Sequence, residues 1–183
     1  MKTELNFSIP TKALKASIHF SAIDDIRSYL NGVHVSPGMI ESSDGYTIAR
    51  IKDGLVTIDG AKDHMGRPAD SIIIPIEQAK ALVRQAGRQE IVQCTAGISG
   101  SIVIDPIERD YPDVNRVIPT KTSGKAGPFD PELLLRFKRA SKDLGRRGAF
   151  TLSHNGADAA LVHIAGATGF VGAIMPWLPE RIV

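Results

Sequence analysis

Apolar and polar positions fall into one recurring order along this chain. In the stretch from Ile72 to Gly87 (IIIPIEQAKALVRQAG) an unbroken β-branched run comes first, then a proline, then apolar residues at helical spacing. Ile76, Ala79, Leu82, Val83 and Ala86 mark a buried stripe there, opposite Glu77, Lys80, Arg84 and Arg88. The same order recurs at Phe7 to Ser21 (FSIPTKALKASIHFS) and at Pro128 to Gly145 (PFDPELLLRFKRASKDLG). In the first copy, Phe7 to Ile9 predicts a short strand and Pro10 a helix start. Leu14 and Ile18 share a face with Ala13, while Lys12, Lys15 and His19 point elsewhere. In the third, Asp130 is an N-cap followed by Pro131 and Glu132; Leu133, Phe137, Ala140 and Leu144 line the buried face, leaving Arg136, Arg139 and Lys142 on the others.

Between the helices the period changes to that of strands. Tyr29 to Val35, Gly38 to Ser42, Tyr46 to Ile51 and Leu55 to Ile58 follow the first helix, punctuated by Asp44-Gly45 and Asp53-Gly54 turns. Ala61 to Asp70 is polar and aperiodic, a loop. Glu90 to Thr95 and Ser101 to Ile104 are expected as strands after the second helix, and Asp110 to Pro119 (DYPDVNRVIP) resumes as strand near its end. Thr120 to Gly127 (TKTSGKAG) is a small, polar linker. Ala149 to Ser153, Ala159 to Ile164 and Phe170 to Met175 complete the third copy, with a hairpin turn at Asn155-Gly156. Each copy reads roughly as β-α-β-β-β. A unit of that size cannot bury both its sheet face and its helix stripe alone, so units must pair.

Composition adds bounds rather than a function. The 183 residues are 43% hydrophobic and 23% charged, ordinary for a soluble globular protein. A net charge of +2 is too small to argue for nucleic acid, since a phosphate-binding surface depends on where the basic residues lie. The single cysteine, Cys94, allows no internal disulfide and fits a reducing cytoplasm. No apolar run reaches the roughly 18 residues of a membrane span, and the N-terminus lacks the apolar core of a signal peptide. His19, His34, His64, His154 and His163 show no metal-ligand spacing. Asp24-Asp25 reads as capping or solvated carboxylates, and Gly124-Lys125 lacks the flanking residues of a phosphate-binding loop. The chain is therefore expected to be non-enzymatic, with no catalytic residues, cofactor or metal.

Several longer words carry a resemblance. DDIRSYLNGVHV (Asp24 to Val35), SSDGYTIA (Ser42 to Ala49), IIIP (Ile72 to Pro75), DYPDVNRVIP (Asp110 to Pro119) and AIMPW (Ala173 to Trp177) together resemble the bacterial DNA polymerase III β subunit family, the sliding clamps. Residues 1–120 resemble the clamp's middle domain (two units) and residues 127–183 the closing half of its last domain (one unit), joined by the linker at 120–127. The resemblance implies an α+β DNA-clamp (processivity factor) fold of three β-α-β-β-β units, with the helices on one face of antiparallel sheets.

It also implies a cleft that receives a short hydrophobic peptide motif of a DNA polymerase or another replication or repair protein. The matching positions are Leu30, Gly45, Tyr46, Thr47, Ile48, Val117, Pro119, Ala173, Met175 and Trp177, the last standing where the family usually has a second methionine. The basic helix residues Lys12, Lys15, Lys80, Arg84, Arg88, Arg136, Arg139 and Lys142 would face duplex DNA through its backbone, without reading bases. Three units against the family's twelve per ring imply self-association, as a dimer or a tetramer. The expected function is thus a cytoplasmic clamp-like protein that binds such peptides and encircles or contacts duplex DNA. The alternative is a module without a ring that competes for the same peptides. No membrane partner is expected.

Overall fold

The computed structural model of the chain describes residues 6–60, 69–95 and 104–177. The element order is β1 (Asn6–Pro10), α1 (Thr11–Ile18), β2 (Gly32–Ser36), β3 (Met39–Ser43), β4 (Thr47–Lys52), β5 (Thr57–Asp59), β6 (Ile72–Pro75), α2 (Ile76–Ala86), β7 (Ile91–Thr95), α3 (Pro131–Asp143), β8 (Phe150–Ser153), β9 (Ala160–Ile164) and β10 (Phe170–Ile174). Short 3-10 turns lie at Ser28–Leu30 and Val114–Arg116. All strand pairings are antiparallel, in a three-stranded sheet β5-β1-β7 and a seven-stranded sheet β6-β2-β3-β4-β10-β9-β8.

The helices form where the apolar stripes predict them. Ala13 and Leu14 of α1, Ile76, Ala79, Leu82 and Ala86 of α2, and Phe137 and Ala140 of α3 are all buried. Pro10 and Pro75 stand at the starts of α1 and α2, where a missing N–H removes nothing from the helix ladder. Asp130 caps α3 by accepting a hydrogen bond from the Glu132 N–H at 2.8 Å. Helix α1 packs between α2 and α3 and also lies on β2, β3 and β4, so the three helices share one side of the sheets.

The two blocks flanking the linker at 120–127 are joined through β4 and β10. Phe170 pairs with Ile51, Gly172 with Ala49 and Ile174 with Thr47, so the third unit's strands continue the first unit's sheet. The larger apolar core among the described residues runs beneath this seam. The Phe20 and Phe137 rings meet edge to face at 4.9 Å between centroids, and Phe137 stands perpendicular to Phe170 at 6.3 Å. Gly172 is required at the crossing: a Cβ there would come within 2.6 Å of Phe137 Cε1 and 2.9 Å of the Ile48 carbonyl.

Several elements differ from the sequence expectation. The third unit begins directly at its helix, because Gly127, Pro128 and Phe129 offer no β-branched run to form a ladder. The segment Asp110 to Pro119 does not resume as a strand. Pro112 and Pro119 bracket it, and Asp113 accepts from the Asn115 N–H at 3.0 Å to start a 3-10 turn instead. Tyr29 and Leu30 likewise belong to a 3-10 turn ahead of β2. The last strand stops at Ile174, one residue before Met175. The expected strand Ser101 to Ile104 and the loop Ala61 to Asp70 lie mostly outside the described residues.

Candidate functional site

A groove forms where the β3–β4 turn, the segment 104–119 and the stretch after β10 converge. The turn is built by Asp44 and Gly45. Asp44 Oδ1 accepts from the Tyr46 N–H (3.0 Å), the Thr47 N–H (2.6 Å) and the Thr47 hydroxyl (2.9 Å), while Gly45 takes a φ of 91°, a left-handed conformation that favours glycine. The second carboxylate oxygen of Asp44 accepts from Arg136 of α3. That ion pair ties the third unit's helix to the first unit's hairpin.

The segment 104–119 crosses the sheet face opposite the helices. His34, Glu41 and Arg50 stand side by side there on β2, β3 and β4, because they are register partners. Glu41 accepts from Arg50 Nε at 2.7 Å and lies 3.0 Å from His34 Nδ1. Burial alone would raise the Glu41 pKa, but its contacts with His34 and Arg50 outweigh that and hold it below the ordinary glutamate value. Tyr111 stacks on His34 at 4.6 Å, and Arg50 donates to Asn115 Oδ1 at 2.8 Å. Burial pushes the Tyr111 hydroxyl pKa up, and that hydroxyl has no hydrogen-bond partner. Val114 seats between Ile48 and Ala173.

The groove has two lobes. The smaller, about 210 Å³, lies among Arg27, Tyr29, Leu30, Ile48, Tyr111 and Val117. Arg27 is fixed by a bidentate pair with Asp25 (2.9 and 2.8 Å), which holds the Asp25 carboxyl at about 2. The larger lobe, about 430 Å³, lies among Tyr46, Asp130, Leu133, Met175, Pro176 and Trp177. A neck of about 10 Å³ between Ile48, Val117, Ala173 and Met175 separates them. Backbone hydrogen bonds set the larger lobe's far wall: the Met175 N–H donates to the Tyr46 carbonyl (2.8 Å) and the Trp177 N–H to the Pro128 carbonyl (2.9 Å). Tyr46, Val117 and Trp177, all exposed apolar side chains, gather on this groove at 64%, 45% and 58% exposure.

Of the expected cleft residues, Leu30, Gly45, Tyr46, Ile48, Val117, Ala173, Met175 and Trp177 line the lobes or their neck. Thr47 and Pro119 line neither. Thr47 is wholly buried with its hydroxyl on Asp44, because alternation along β4 turns it away from Ile48. Tyr29, Tyr111, Asp130, Leu133 and Pro176 join the lining without having been singled out. Asp130 and Leu133 read in sequence as a helix cap and a core position, and nothing local says that they meet Trp177.

The expected phosphate-facing residues divide into two groups. Lys12, Arg84, Arg139 and Lys142 are exposed on α1, α2 and α3, and Arg88 is exposed just past the end of α2. Lys15 pairs with Asp143 (2.9 Å), Lys80 with Glu77 (2.6 Å) and Arg136 with Asp44. Arg136 is thus committed to the hairpin. Among the described residues no group of acidic, histidine or cysteine side chains is placed to hold a metal ion, and no helix is long and apolar enough to cross a membrane.

Solved structures with the same arrangement of strands and helices decide the fold. The DNA polymerase III β subunit of Pseudomonas aeruginosa matches with a TM-score of 0.60 at 18% identity, over 94% of this chain and 66% of that one. The chain has the sliding-clamp fold. Caulobacter crescentus pol III β matches this clamp fold with a TM-score of 0.64 at 16% identity over 95% of this chain and 66% of that one. The Bacillus subtilis DNA polymerase sliding clamp matches it with a TM-score of 0.62 at 16% identity over 94% and 64%. This clamp-fold chain therefore spans about two thirds of the length of the solved clamps it matches. No protein-family model matches it, and no curated protein matches it in sequence.

Proposed function

We propose that this protein is a non-enzymatic clamp-fold scaffold that captures a short hydrophobic peptide of a partner protein in the groove between Tyr46, Val117 and Trp177. The observation that carries the reading is the convergence of those exposed side chains, from three distant parts of the chain, on two apolar lobes joined at a neck. Open, mostly apolar lobes with few polar groups suit recognition through one or two anchor side chains. Replication or repair proteins are the partners that fit, because the fold is that of DNA polymerase sliding clamps.

Duplex DNA is the second partner in this reading. Lys12, Arg84, Arg139 and Lys142 lie exposed on three helices that share one side of the sheets, with Arg88 just past the end of α2, an arrangement suited to phosphates and blind to sequence. The described residues of each chain supply three α-helices, so self-association would extend that surface, and four chains would supply twelve of them. Peptide capture without any ring is the competing version.

The test is a pair of measurements on one preparation. A short peptide of large apolar residues is titrated by calorimetry against the wild type and against the Met175→Ala/Trp177→Ala variant, with a loss of more than about 1 kcal/mol expected. Unchanged affinity in the folded variant removes the groove from the function. Retention on nicked circular DNA that is released when the circle is cut supports encirclement, whereas peptide binding by a monomer with no retention supports the version without a ring.

A further inference from the structure

The larger lobe carries one ionisable group in an otherwise apolar and aromatic wall. Tyr46, Leu133, Met175, Pro176 and Trp177 line it together with Asp130, and the two aromatic side chains are more than half exposed. We propose that this lobe takes the basic side chain, arginine or lysine, of the bound peptide. The proposal rests on the groove reading above and names what distinguishes its two ends.

Three observations lead there. First, the chemistry of the wall matches a long cationic side chain: the aliphatic stem covers Leu133 and Met175, and the head meets a carboxylate and the faces of Tyr46 and Trp177. Second, the local charges sum to a negative field. Arg136, one turn along α3 from Leu133, is neutralised by Asp44, and the positive end of α3 is already met by Asp130, whose Oδ1 accepts from the Glu132 N–H. Glu132 is exposed beside it and adds a second negative charge. Third, a purely apolar side chain filling the lobe would strip water from Asp130 and return only its cap hydrogen bond, whereas a cation replaces the water with a charge-assisted contact.

The smaller lobe carries its own cation, Arg27, near its one unpaired carboxylate, Asp113. Arg27 there is matched by Asp25, and Asp113 accepts from the Asn115 N–H (3.0 Å) and side-chain amide (2.8 Å). An apolar anchor in the smaller lobe and a cation in the larger give the peptide a direction across the neck at Val117 and Met175.

Trp177 is the chain's only tryptophan, so its fluorescence reports on the larger lobe directly. The probes are three synthetic apolar hexapeptides, identical except for arginine, glutamine or glutamate at one position. The arginine peptide is expected to bind at least about tenfold more tightly than the glutamate peptide, with glutamine between them. In Asp130→Asn, which preserves the helix cap, the order of the three peptides should collapse to within about twofold. Equal binding of all three peptides overturns the cation assignment and leaves the groove standing, as does a preference that survives Asp130→Asn. Failure of all three to bind overturns both.

Discussion

Arg136 on α3 and Asp44 in the β3–β4 turn meet as an ion pair across the seam between the third unit and the first, with the Asp44 side chain only 9% exposed. Asp44 also organises the turn that carries Tyr46 into the groove, so one carboxylate couples domain cohesion to the site. Arg136→Gln should destabilise the fold by about 1.5–3 kcal/mol, the range for a hydrogen bond to a charged group. Its effect should be strongly non-additive with Asp44→Asn in a urea-unfolding double-mutant cycle. Additive losses would mean that the two residues act separately.

Phe137 holds the same seam from the apolar side. It is fully buried against Phe20, Phe150 and Phe170, three rings drawn from both blocks of the chain. Phe137→Ala should cost about 3–5 kcal/mol. The two blocks should still unfold in one transition when β8–β10 and β2–β4 are followed by separate probes in urea. A loss below about 1 kcal/mol would show that the seam relaxes around the cavity.

Tyr111 offers a gain rather than a loss. Its ring stacks on His34, but its hydroxyl is buried without a partner. Tyr111→Phe keeps the stack and removes the orphan group, so the variant should be more stable by up to about 1 kcal/mol in thermal or urea unfolding. Destabilisation would mean that the hydroxyl finds a partner in solution.

Glu41 predicts an acid-side slope. Its folded pKa lies below the ordinary value of 4.5, so the stability it contributes is fully present above that value and is lost as pH falls through the lower folded one. Unfolding free energy measured against pH should fall below 4.5, and Glu41→Gln should flatten that limb while lowering stability at neutral pH. An identical acid limb in the variant would assign the slope to other carboxylates.

Much of this molecule is legible one turn at a time. The stripes Ile76–Ala79–Leu82–Ala86 and Phe137–Ala140, the prolines at two helix starts, the Asp130 cap and the Asp44-Gly45 turn each follow from contacts within a few residues, and the folded chain uses them all. The groove was half legible. Tyr46, Met175 and Trp177 come through the resemblance to clamp sequences, but Thr47 points away from them and Asp130 joins them only in three dimensions.

Local periodicity determined which residues are helical, which faces are apolar and where hairpins turn, because those preferences are decided within one or two turns of chain. Tertiary structure alone decided that β10 pairs with β4, that Arg136 is held by Asp44 rather than left free on its helix, and that a helix cap becomes the wall of a binding lobe. Strand partners and ion pairs across more than 90 residues depend on how separate units pack, as in the Asp44–Arg136 separation of 92. No short window of sequence contains both partners of such a contact.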